Sequence, residues 1–427
     1  MTSQVQRFDQ MIRPEGRIFY GWWIVLASGG IQLLSGMLWM QSFGAYTVLL
    51  QKEFGWSKAV VSGAFALTRV ESGLLGPLQG WMVDRFGPRA ILRVGLILFG
   101  LGFMLFSQVN SILTFYLTFA LIAVGSSLGG FATIMVSIVN WFNRHRAKAV
   151  SISQIGFSLG GLSVPIVILS LELFGWRATA FGSGIIVLLI GLPLVQVVRH
   201  KPENHQEVQD GIILIDDSGG GTGPVRPSTQ TKRDFTAREA MRTQAFWLIS
   251  LGHASALLTV SAVMVHLVPH LTEGLKYSLS EAGAVVALMT AFQMVGQICG
   301  GFLGDRFDKR YICIGCMAGH TSGLLLVAFA SSTLMVVAFA LLHGLAWGMR
   351  GPLMVALRAD YFGPSSFGTI MGFSSLIVMF GMSSGPIIAG YMADVSGNYQ
   401  GGFALLACTA FLGSFCFLLA KPPQHRH

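Results

Sequence analysis

Twelve apolar segments, each long enough to cross a lipid bilayer as a helix, follow one another along nearly the whole sequence. A hydrocarbon core of about 30 Å needs roughly 20 helical residues. The segments are continuously apolar instead of alternating, which favours helices over a β-barrel. The predicted spans cover residues 20–49, 57–82, 90–109, 112–140, 147–170, 176–198, 246–270, 280–303, 311–330, 333–357, 365–391 and 400–420. The sequence therefore predicts an all-α membrane protein with twelve transmembrane helices.

Composition and charge agree with a chain that is dissolved in lipid. Of the 427 residues, 53% are hydrophobic and only 11% are charged, a balance that a soluble domain of this length does not carry. The net charge of +9 does not indicate nucleic acid, because 22 of the 28 lysines and arginines fall on the side that holds both termini and 4 fall on the other side. The positive-inside rule then predicts a multi-pass protein of the cell (inner) membrane with both termini in the cytoplasm.

The two halves of the chain repeat each other. The loop at residues 80–89 reappears as residues 301–310, and because each half has an even number of spans, both halves enter the membrane from the same side. A polar stretch with Gly219 to Gly223 separates the halves and is typical of a flexible linker. It ends in Thr236-Ala-Arg-Glu239, a capping-box pattern that predicts a short helix. We predict an N-terminal six-helix bundle (1–198), a cytoplasmic linker (199–240) and a C-terminal six-helix bundle (241–427).

The repeated loop has the features of a conformational clasp. Its glycine lets neighbouring helices approach closely, its aspartate can cap the positive end of another helix, and its arginines can hold the turn at the cytoplasmic face. Positive-inside statistics alone would explain the charges of one loop but not a second copy. The predicted clasp residues are Gly80, Asp84, Arg85, Arg89, Gly301, Asp305, Arg306 and Arg310.

This repeated loop and the six-plus-six topology resemble the major facilitator superfamily over the whole chain. Within the superfamily, Tyr-Gly-Trp-Trp at residues 20–23 looks like the entry to the first helix in the monocarboxylate transporter and oxalate/formate antiporter branch. The aromatic and basic stretch 140–147, followed by Gly156-x-x-x-Gly160, is similar to that branch's entry to helix five. The resemblance implies a small-molecule transporter that works by alternating access, with a central cavity lined by helices one, four, seven and ten.

The chain departs from that branch in helix eight. The branch usually carries an arginine there that meets the substrate carboxylate, whereas the eighth span of this chain offers only Gln293 and Gln297 as large polar groups. A carboxylate substrate therefore does not follow from the resemblance alone.

Few ionisable residues lie inside the spans, and each one needs a partner or a wet cavity. Arg350 stands about 12 Å up the tenth helix, before the helix-perturbing Pro352, and is predicted to bind a substrate anion; a structural arginine paired with backbone carbonyls is the alternative. Arg69 stands about 16 Å deep in the second span and is a second candidate for substrate contact. Glu71 lies on roughly the opposite face of that helix and is a candidate for proton coupling.

Neutral polar residues and histidines complete the predicted site. The predicted hydrogen-bonding residues are Gln32, Gln41, Gln154, Gln293 and Gln297. His253 and His343 are candidates for a coupled proton, because an imidazole titrates near neutral pH; a merely hydrogen-bonded histidine is the alternative reading.

These features predict a secondary active transporter of a small organic anion, monocarboxylate-like, by proton symport or exchange. A carrier of another cargo (an amphipathic drug, a siderophore or a metal chelate) and a non-transporting receptor or scaffold remain alternatives. No phosphate-binding loop or catalytic motif is present in the sequence, so we expect neither ATP hydrolysis nor an enzyme. We also expect no cofactor, no metal site and no nucleic acid, and a monomer in the lipid bilayer.

Overall fold

The computed structural model describes residues 11–12, 18–211 and 234–424, and within them the side chains of residues 58, 59, 61–63, 65–70, 72 and 279 lie outside the description. The regular elements in these ranges are helices, which confirms the predicted all-α fold. The first half contains α1 (Tyr20–Ser35), α2 (Phe43–Phe54), α3 (Lys58–Phe86), α4 (Pro88–Phe106), α5 (Ile112–Leu128), α6 (Phe131–Trp141), α7 (Arg146–Leu162), α8 (Val164–Ile186) and α9 (Leu192–Val197). The second half contains α10 (Ala237–Met241), α11 (Gln244–Pro269), α12 (Leu279–Gly304), α13 (Lys309–Ala328), α14 (Thr333–Phe362), α15 (Phe367–Ser396) and α16 (Gln400–Leu419).

Twelve membrane crossings can be traced through the described helices. Ten stretches are long and apolar enough to cross a bilayer. One of them, Arg146–Val197, is 52 residues long and is interrupted at Gly175, where φ is +76°, so it supplies two crossings. The 29-residue helix α3 supplies another. The crossings therefore agree with the twelve predicted spans.

Several helices begin where a hydroxyl side chain caps the first turn. The Ser111 hydroxyl accepts the N–H of Thr114 at the start of α5. At α12, Ser278 and Glu281 form a reciprocal capping box. The capping box predicted at Thr236 is also present and starts the short helix α10. Local sequence therefore sets these helix starts, because each cap satisfies N–H groups that have no partner within the helix.

The start of the predicted linker is attached to the first half. The carbonyl O of Arg199 accepts hydrogen bonds from Nε1 of Trp141 at 3.1 Å and from Oγ of Ser137 at 2.6 Å. Asp210 accepts the N–H of Arg144 at 2.7 Å. The flexible linker predicted at Gly219 to Gly223 lies outside the described residues. The division into two bundles at residues 198 and 241 stays a prediction.

The most extensive contacts between the two halves join α3 to α15 and α7 to α12, and α7 also packs on α14. We call the end of the molecule that carries residues 18 and 424 the terminal face. Toward this face α3 and α15 touch through glycines: a Cβ added to Gly80 would lie 2.1 Å from the carbonyl O of Gly368, and one added to Gly372 would lie 2.2 Å from that of Gly76. The absence of side chains lets the backbones pack in direct contact. The halves are therefore closed against each other at the terminal face.

Candidate functional site

Arg350 lies near the middle of α14, the tenth crossing, with 1% of its surface exposed. Its side of the helix also carries His343 and Ala346, at the i, i+3, i+7 spacing of one helix face, and this face packs on α13 at Gly319 and Gly323. Among the described residues, Nε and Nη1 of Arg350 have no hydrogen-bond partner. The guanidinium thus lies buried, on the face of α14 that packs on α13.

Arg358 is a second buried arginine on α14, with 3% of its surface exposed. The predicted tenth span ends at residue 357, before Arg358, whereas α14 continues to Phe362 and includes Arg358. Its Nη1 donates to the carbonyl O of Met354 at 3.0 Å, and its Nε and Nη2 donate to Oγ of Ser374 at 3.1 and 2.7 Å. Arg358 therefore joins α14 to α15 through neutral acceptors.

His253 on α11 belongs to the same network. Nη2 of Arg358 also donates to Nδ1 of His253 at 3.0 Å. A guanidinium has no acceptor, so Nδ1 must accept and the ring proton is assigned to Nε2. The His253 ring is partly exposed, and Ser250, on the same helix, hydrogen-bonds the Ser374 hydroxyl at 2.8 Å. While Arg358 occupies Nδ1, His253 stays neutral.

The two guanidinium groups act on each other electrostatically, and both also act on His253. The other groups that act on Arg350 are the thiols of Cys313 and Cys316 on α13. Among the described ion pairs, none involves Arg350 or Arg358. The interior of the second half therefore contains two positive charges that no described acid neutralises.

A histidine pair lies further along the same helix face. Nδ1 of His343 and Nδ1 of His320 on α13 are 3.2 Å apart, and both rings are fully buried. One ring must donate and the other accept, so the two rings hold their protons on different nitrogens. Neither Nε2 has a hydrogen-bond partner among the described residues. His343, a predicted proton-coupling residue, is thus part of a closed pair.

The five predicted glutamines differ in what they contact. Gln32 donates to the carbonyl O of Ser153 at 3.0 Å, and Gln41 donates to that of Phe157 at 3.1 Å, both within the first half. Gln297 crosses between the halves, where its Oε1 accepts from Oγ of Ser158 at 3.1 Å. These three side chains connect helices.

The other two glutamines keep polar groups available. Gln293 on α12 is partly exposed. Gln154 on α7 reaches across to the second half, since its Oε1 is 2.8 Å from the position that a Cβ on Gly351 would take. Its Nε2 is buried without a hydrogen-bond partner in the described part of the chain. Gln154 therefore presents an unused donor beside the residue that follows Arg350.

The two predicted charges of the second crossing are described to different extents. Both residues lie on α3, but the side chain of Arg69 is outside the described residues. Glu71 is partly buried. Substrate contact at Arg69 and proton coupling at Glu71 therefore stay predictions.

Each aspartate of the repeated loop caps a helix of the opposite half. Asp84 accepts the N–H of Gly368 at 3.0 Å and that of Thr369 at 2.7 Å, in the first turn of α15. Asp305 accepts the N–H of Ala147 at 2.8 Å and that of Lys148 at 3.2 Å, in the first turn of α7. Burial raises the pKa of Asp305 to about 6, against the lowering effect of the Ala147 N–H and of the Lys148 charge. The two copies of the loop thus make equivalent contacts in opposite directions.

The arginines of the loops make contacts within their own half. Arg89 donates from Nε to the carbonyl O of Val198 at 2.6 Å, and Arg310 pairs with Asp308 at 2.8 Å. Arg306 lies over the ring of Phe307 at 5.6 Å. Arg85 is exposed. Among the charged residues of the two loops, the aspartates therefore supply the described hydrogen bonds across the halves.

Sequence reasoning missed an ion pair between the halves. Arg146, at the start of α7, pairs with Asp360 near the end of α14, and Lys309 also pairs with Asp360 at 2.7 Å. Arg146 is 4% exposed and Asp360 is 33% exposed, so the contact is shielded from water only on the arginine side. The sequence counted these residues only as loop charges, because nothing in it indicates which loop of the other half they meet.

Comparison with known proteins assigns the family. Residues 29–263 and 249–427 match the family model described as Major Facilitator Superfamily. The chain belongs to this superfamily. As the sequence predicts, this superfamily member is a membrane transporter and not an enzyme.

Relatives of this superfamily member cover nearly its whole length. It is 24% identical over 420 residues to Monocarboxylate transporter 13 of Bos taurus, which covers 95% of this chain and 92% of that protein. It is 25% identical over 408 residues to the Oxalate:formate antiporter of Oxalobacter formigenes, which covers 93% and 89%. The solved structure of a proton:xylose symporter bound to 6-bromo-6-deoxy-D-glucose matches with a TM-score of 0.72 at 16% identity, covering 94% of this chain and 96% of that one. This last likeness shows the major facilitator fold alone.

Proposed function

We propose that this superfamily member is a secondary active transporter of a small organic anion of the monocarboxylate class. The proposal depends on one observation: Arg350 and Arg358 are both buried on α14, and neither forms an ion pair with a described residue. Enclosing a charge away from water is costly unless a partner of opposite sign neutralises it. A bound anion supplies that partner, and the deficit of negative charge in the protein favours an anion over a neutral or cationic cargo.

The donors that remain available suit a carboxylate. Nε and Nη1 of Arg350 and Nε2 of Gln154 are all buried donors without described partners. Each of these N–H groups can donate a hydrogen bond to a carboxylate oxygen, and the bonds from the guanidinium are charge-assisted. Gln154 belongs to the first half and Arg350 to the second, so a substrate held by both would connect the halves. We infer that Arg350 neutralises the substrate and that Gln154 hydrogen-bonds it.

The contacts at the terminal face support transport by alternating access. Asp84 and Asp305 hold the halves together by capping helices of the opposite half, and hydrogen bonds of this kind break when the halves separate. We propose that these aspartates, with the loop glycines, form the clasp of the closed state. Opening it would expose the interior to the terminal face. The excess of basic residues on this face supports a cytoplasmic position for it in a multi-pass cell-membrane protein.

We propose that His253 couples the anion to a proton. A carboxylate that binds Arg358 competes with Nδ1 of His253 for the same donors. Once Nδ1 is released, it can take up one proton from water, so one anion and one proton would move together without net charge. Arg358, whose Nη2 contacts Nδ1 of His253, is a cation, so a bound anion also reduces its repulsion of a protonated ring. His343 and Glu71 remain the other candidates for the coupled proton.

The names of two relatives agree with this substrate class. One relative is named as a monocarboxylate transporter and another as an oxalate:formate antiporter, and both names refer to small carboxylates. The helix-eight arginine of that branch is absent from the sequence of this chain, and Arg350 in helix ten would supply the positive charge instead.

Uptake into proteoliposomes tests the proposal. Radiolabelled lactate, formate and oxalate would be compared with lactamide, the neutral analogue of lactate, for the wild type and for Arg350→Ala, Arg358→Ala and Arg69→Ala. Arg177→Ala is the matched control, because Arg177 forms an exposed ion pair with Glu53, away from the buried arginines. We expect carboxylate uptake that Arg350→Ala lowers at least about thirtyfold, the effect of losing a buried charge partner. Uptake of carboxylates that is unchanged in Arg350→Ala and Arg69→Ala, or uptake of lactamide alone, would overturn it.

A further inference from the structure

A positively charged cavity lies at the terminal face of the first half, far along the chain from the buried arginines of α14. Its volume is about 170 Å³, and it lies where the turn between α3 and α4 meets the chain that leaves α9. The residues used below are Phe86, Gly87, Arg89, Arg199, His200 and His205, which all line it.

The basic groups of this cavity are held in place by neutral partners. Arg89 donates from Nε to the carbonyl O of Val198 at 2.6 Å, and the guanidinium of Arg199 lies 3.7 Å from the ring centre of Tyr20. Neither contact neutralises a charge. Among the described lining residues there is no carboxylate. Two fixed guanidinium groups and two imidazoles therefore surround a space that contains no negative charge of its own.

The pKa values of the two histidines are lowered by burial and by nearby positive charges. Burial, followed by the charge of Lys201, lowers the pKa of His200. Desolvation, followed by the charges of Arg199 and Arg89, lowers the pKa of His205. The N-terminus of the 19-residue helix α4 lies at the cavity. Gly87, which lines the cavity, directly precedes Pro88, the first residue of that helix. The positive end of that helix favours a negative ligand further.

One edge of the cavity is apolar. Phe86 is 60% exposed and Trp81 is 51% exposed, and their rings meet edge to face at 5.9 Å between centroids. These aromatic rings lie on a helix that crosses the membrane, next to the basic groups at its end. Aromatic side chains are enriched at the headgroup level of membrane proteins, and basic pockets between helices at the cytoplasmic side bind anionic headgroups. The position thus combines an anion site with a surface suited to acyl chains.

We propose that this cavity binds a phosphate group, and specifically the phosphate headgroup of an anionic lipid. Arg89 and Arg199 contact the phosphate oxygens, His200 and His205 donate further hydrogen bonds, and Phe86 and Trp81 lie against the acyl chains. The site is separate from the proposed substrate site on α14, so its occupation does not depend on which anion is transported.

Thermal unfolding of the detergent-purified protein tests this site with four probes: cardiolipin, phosphatidylglycerol, phosphatidylcholine and inorganic phosphate. We expect stabilisation by the two anionic lipids and none by phosphatidylcholine. In the double variant R89Q/R199Q, half-maximal stabilisation should need about thirtyfold more lipid, since each arginine near the membrane surface contributes about fivefold. The control R144Q/R238Q removes the same charge from two exposed positions outside the cavity and should behave as the wild type.

The comparison between lipids is made within each variant, so a general loss of stability cancels. R89Q/R199Q that responds to cardiolipin as the wild type does, or phosphatidylcholine that stabilises equally, would overturn the proposal. Stabilisation by inorganic phosphate that R89Q/R199Q removes would support the phosphate site and identify a soluble phosphate as its ligand. Lipid-specific stabilisation without a phosphate effect would support the lipid headgroup.

Discussion

Asp84 and Thr369 are joined across the two halves of the molecule, since the Asp84 carboxylate accepts both the backbone N–H and the hydroxyl of Thr369 at 2.7 Å. Asp305 makes the equivalent contact with the start of α7 in the opposite direction. Both aspartates satisfy N–H groups that the first turn of a helix leaves without partners. The two aspartates therefore couple closure of the terminal face to the N-terminal turns of α15 and α7.

Removing either aspartate should loosen the helix start that it caps and leave the helix start capped by the other aspartate unchanged. We expect Asp84→Ala to speed hydrogen exchange at the first turn of α15 about fivefold, because an N-cap contributes about 1 kcal/mol. Asp305→Ala should do the same at the first turn of α7. Mass spectrometry of exchanged peptides measures both. Asp308→Ala is the control, because Asp308 contacts Arg310 within its own loop, and equal effects of all three variants would contradict the assignment.

The closed terminal face should depend on pH through Asp305. Burial raises the pKa of Asp305 to about 6 in the closed state, so the protonated carboxyl is favoured there. The stabilisation of the closed state by protonation of Asp305 is complete below the ordinary pKa of 3.8. It is lost as the pH rises through the closed-state pKa of about 6. Spin labels on Arg144→Cys and Phe307→Cys, in a cysteine-free background, would measure the separation of the halves. We expect the closed fraction to fall between about pH 4 and pH 7.

Asp305→Asn provides the control for that pH dependence, because asparagine does not titrate. The closed fraction in this variant should be flat over the same range. A wild-type profile that persists unchanged in Asp305→Asn would assign the titration to another group.

The glycines of α3 and α15 should be required for closure. A Cβ on Gly80 would lie 2.1 Å from the carbonyl O of Gly368, so Gly80→Ala forces the two backbones apart. Overpacking of this kind costs about 1–3 kcal/mol, which corresponds to a shift toward the open state of about tenfold. The same spin-label pair measures it. Gly182→Ala, where no atom lies within 4 Å of the added Cβ, should leave the distance distribution unchanged, and a closed Gly80→Ala protein would contradict the packing argument.

Replacing His253 should separate transport from proton coupling. In His253→Gln, accumulation of the anion driven by a pH gradient should be lost, while exchange of labelled for unlabelled anion across the membrane continues. In the wild type, Nδ1 of His253 accepts a proton once Arg358 no longer donates to it. Glutamine cannot accept that proton. His266→Gln is the control, because His266 bonds the carbonyl O of Pro386 and not an arginine. Accumulation that survives in His253→Gln and fails in His343→Gln would move the proton site to the histidine pair.

Local patterns in the sequence predicted the helices. The apolar periods predicted the crossings, and the capping box at Thr236 predicted a helix start, because both depend on neighbours in the chain. The partners of Asp84 and Asp305 were not predictable, since each lies in the other half of the chain. Arg358 was missed because apolar residues after the predicted end of the tenth span carry the helix on to Phe362 and bury the arginine.

Binding of a carboxylate to purified protein tests the role of Arg350 most directly. Calorimetric titration with lactate and with lactamide would be compared for the wild type and for Arg350→Gln, which keeps a polar side chain but removes the charge. We expect the wild type to bind lactate and not lactamide, and Arg350→Gln to bind lactate at least about thirtyfold more weakly. Equal lactate affinity of the two proteins, with folding intact in both, would contradict the assignment of Arg350 to the anion.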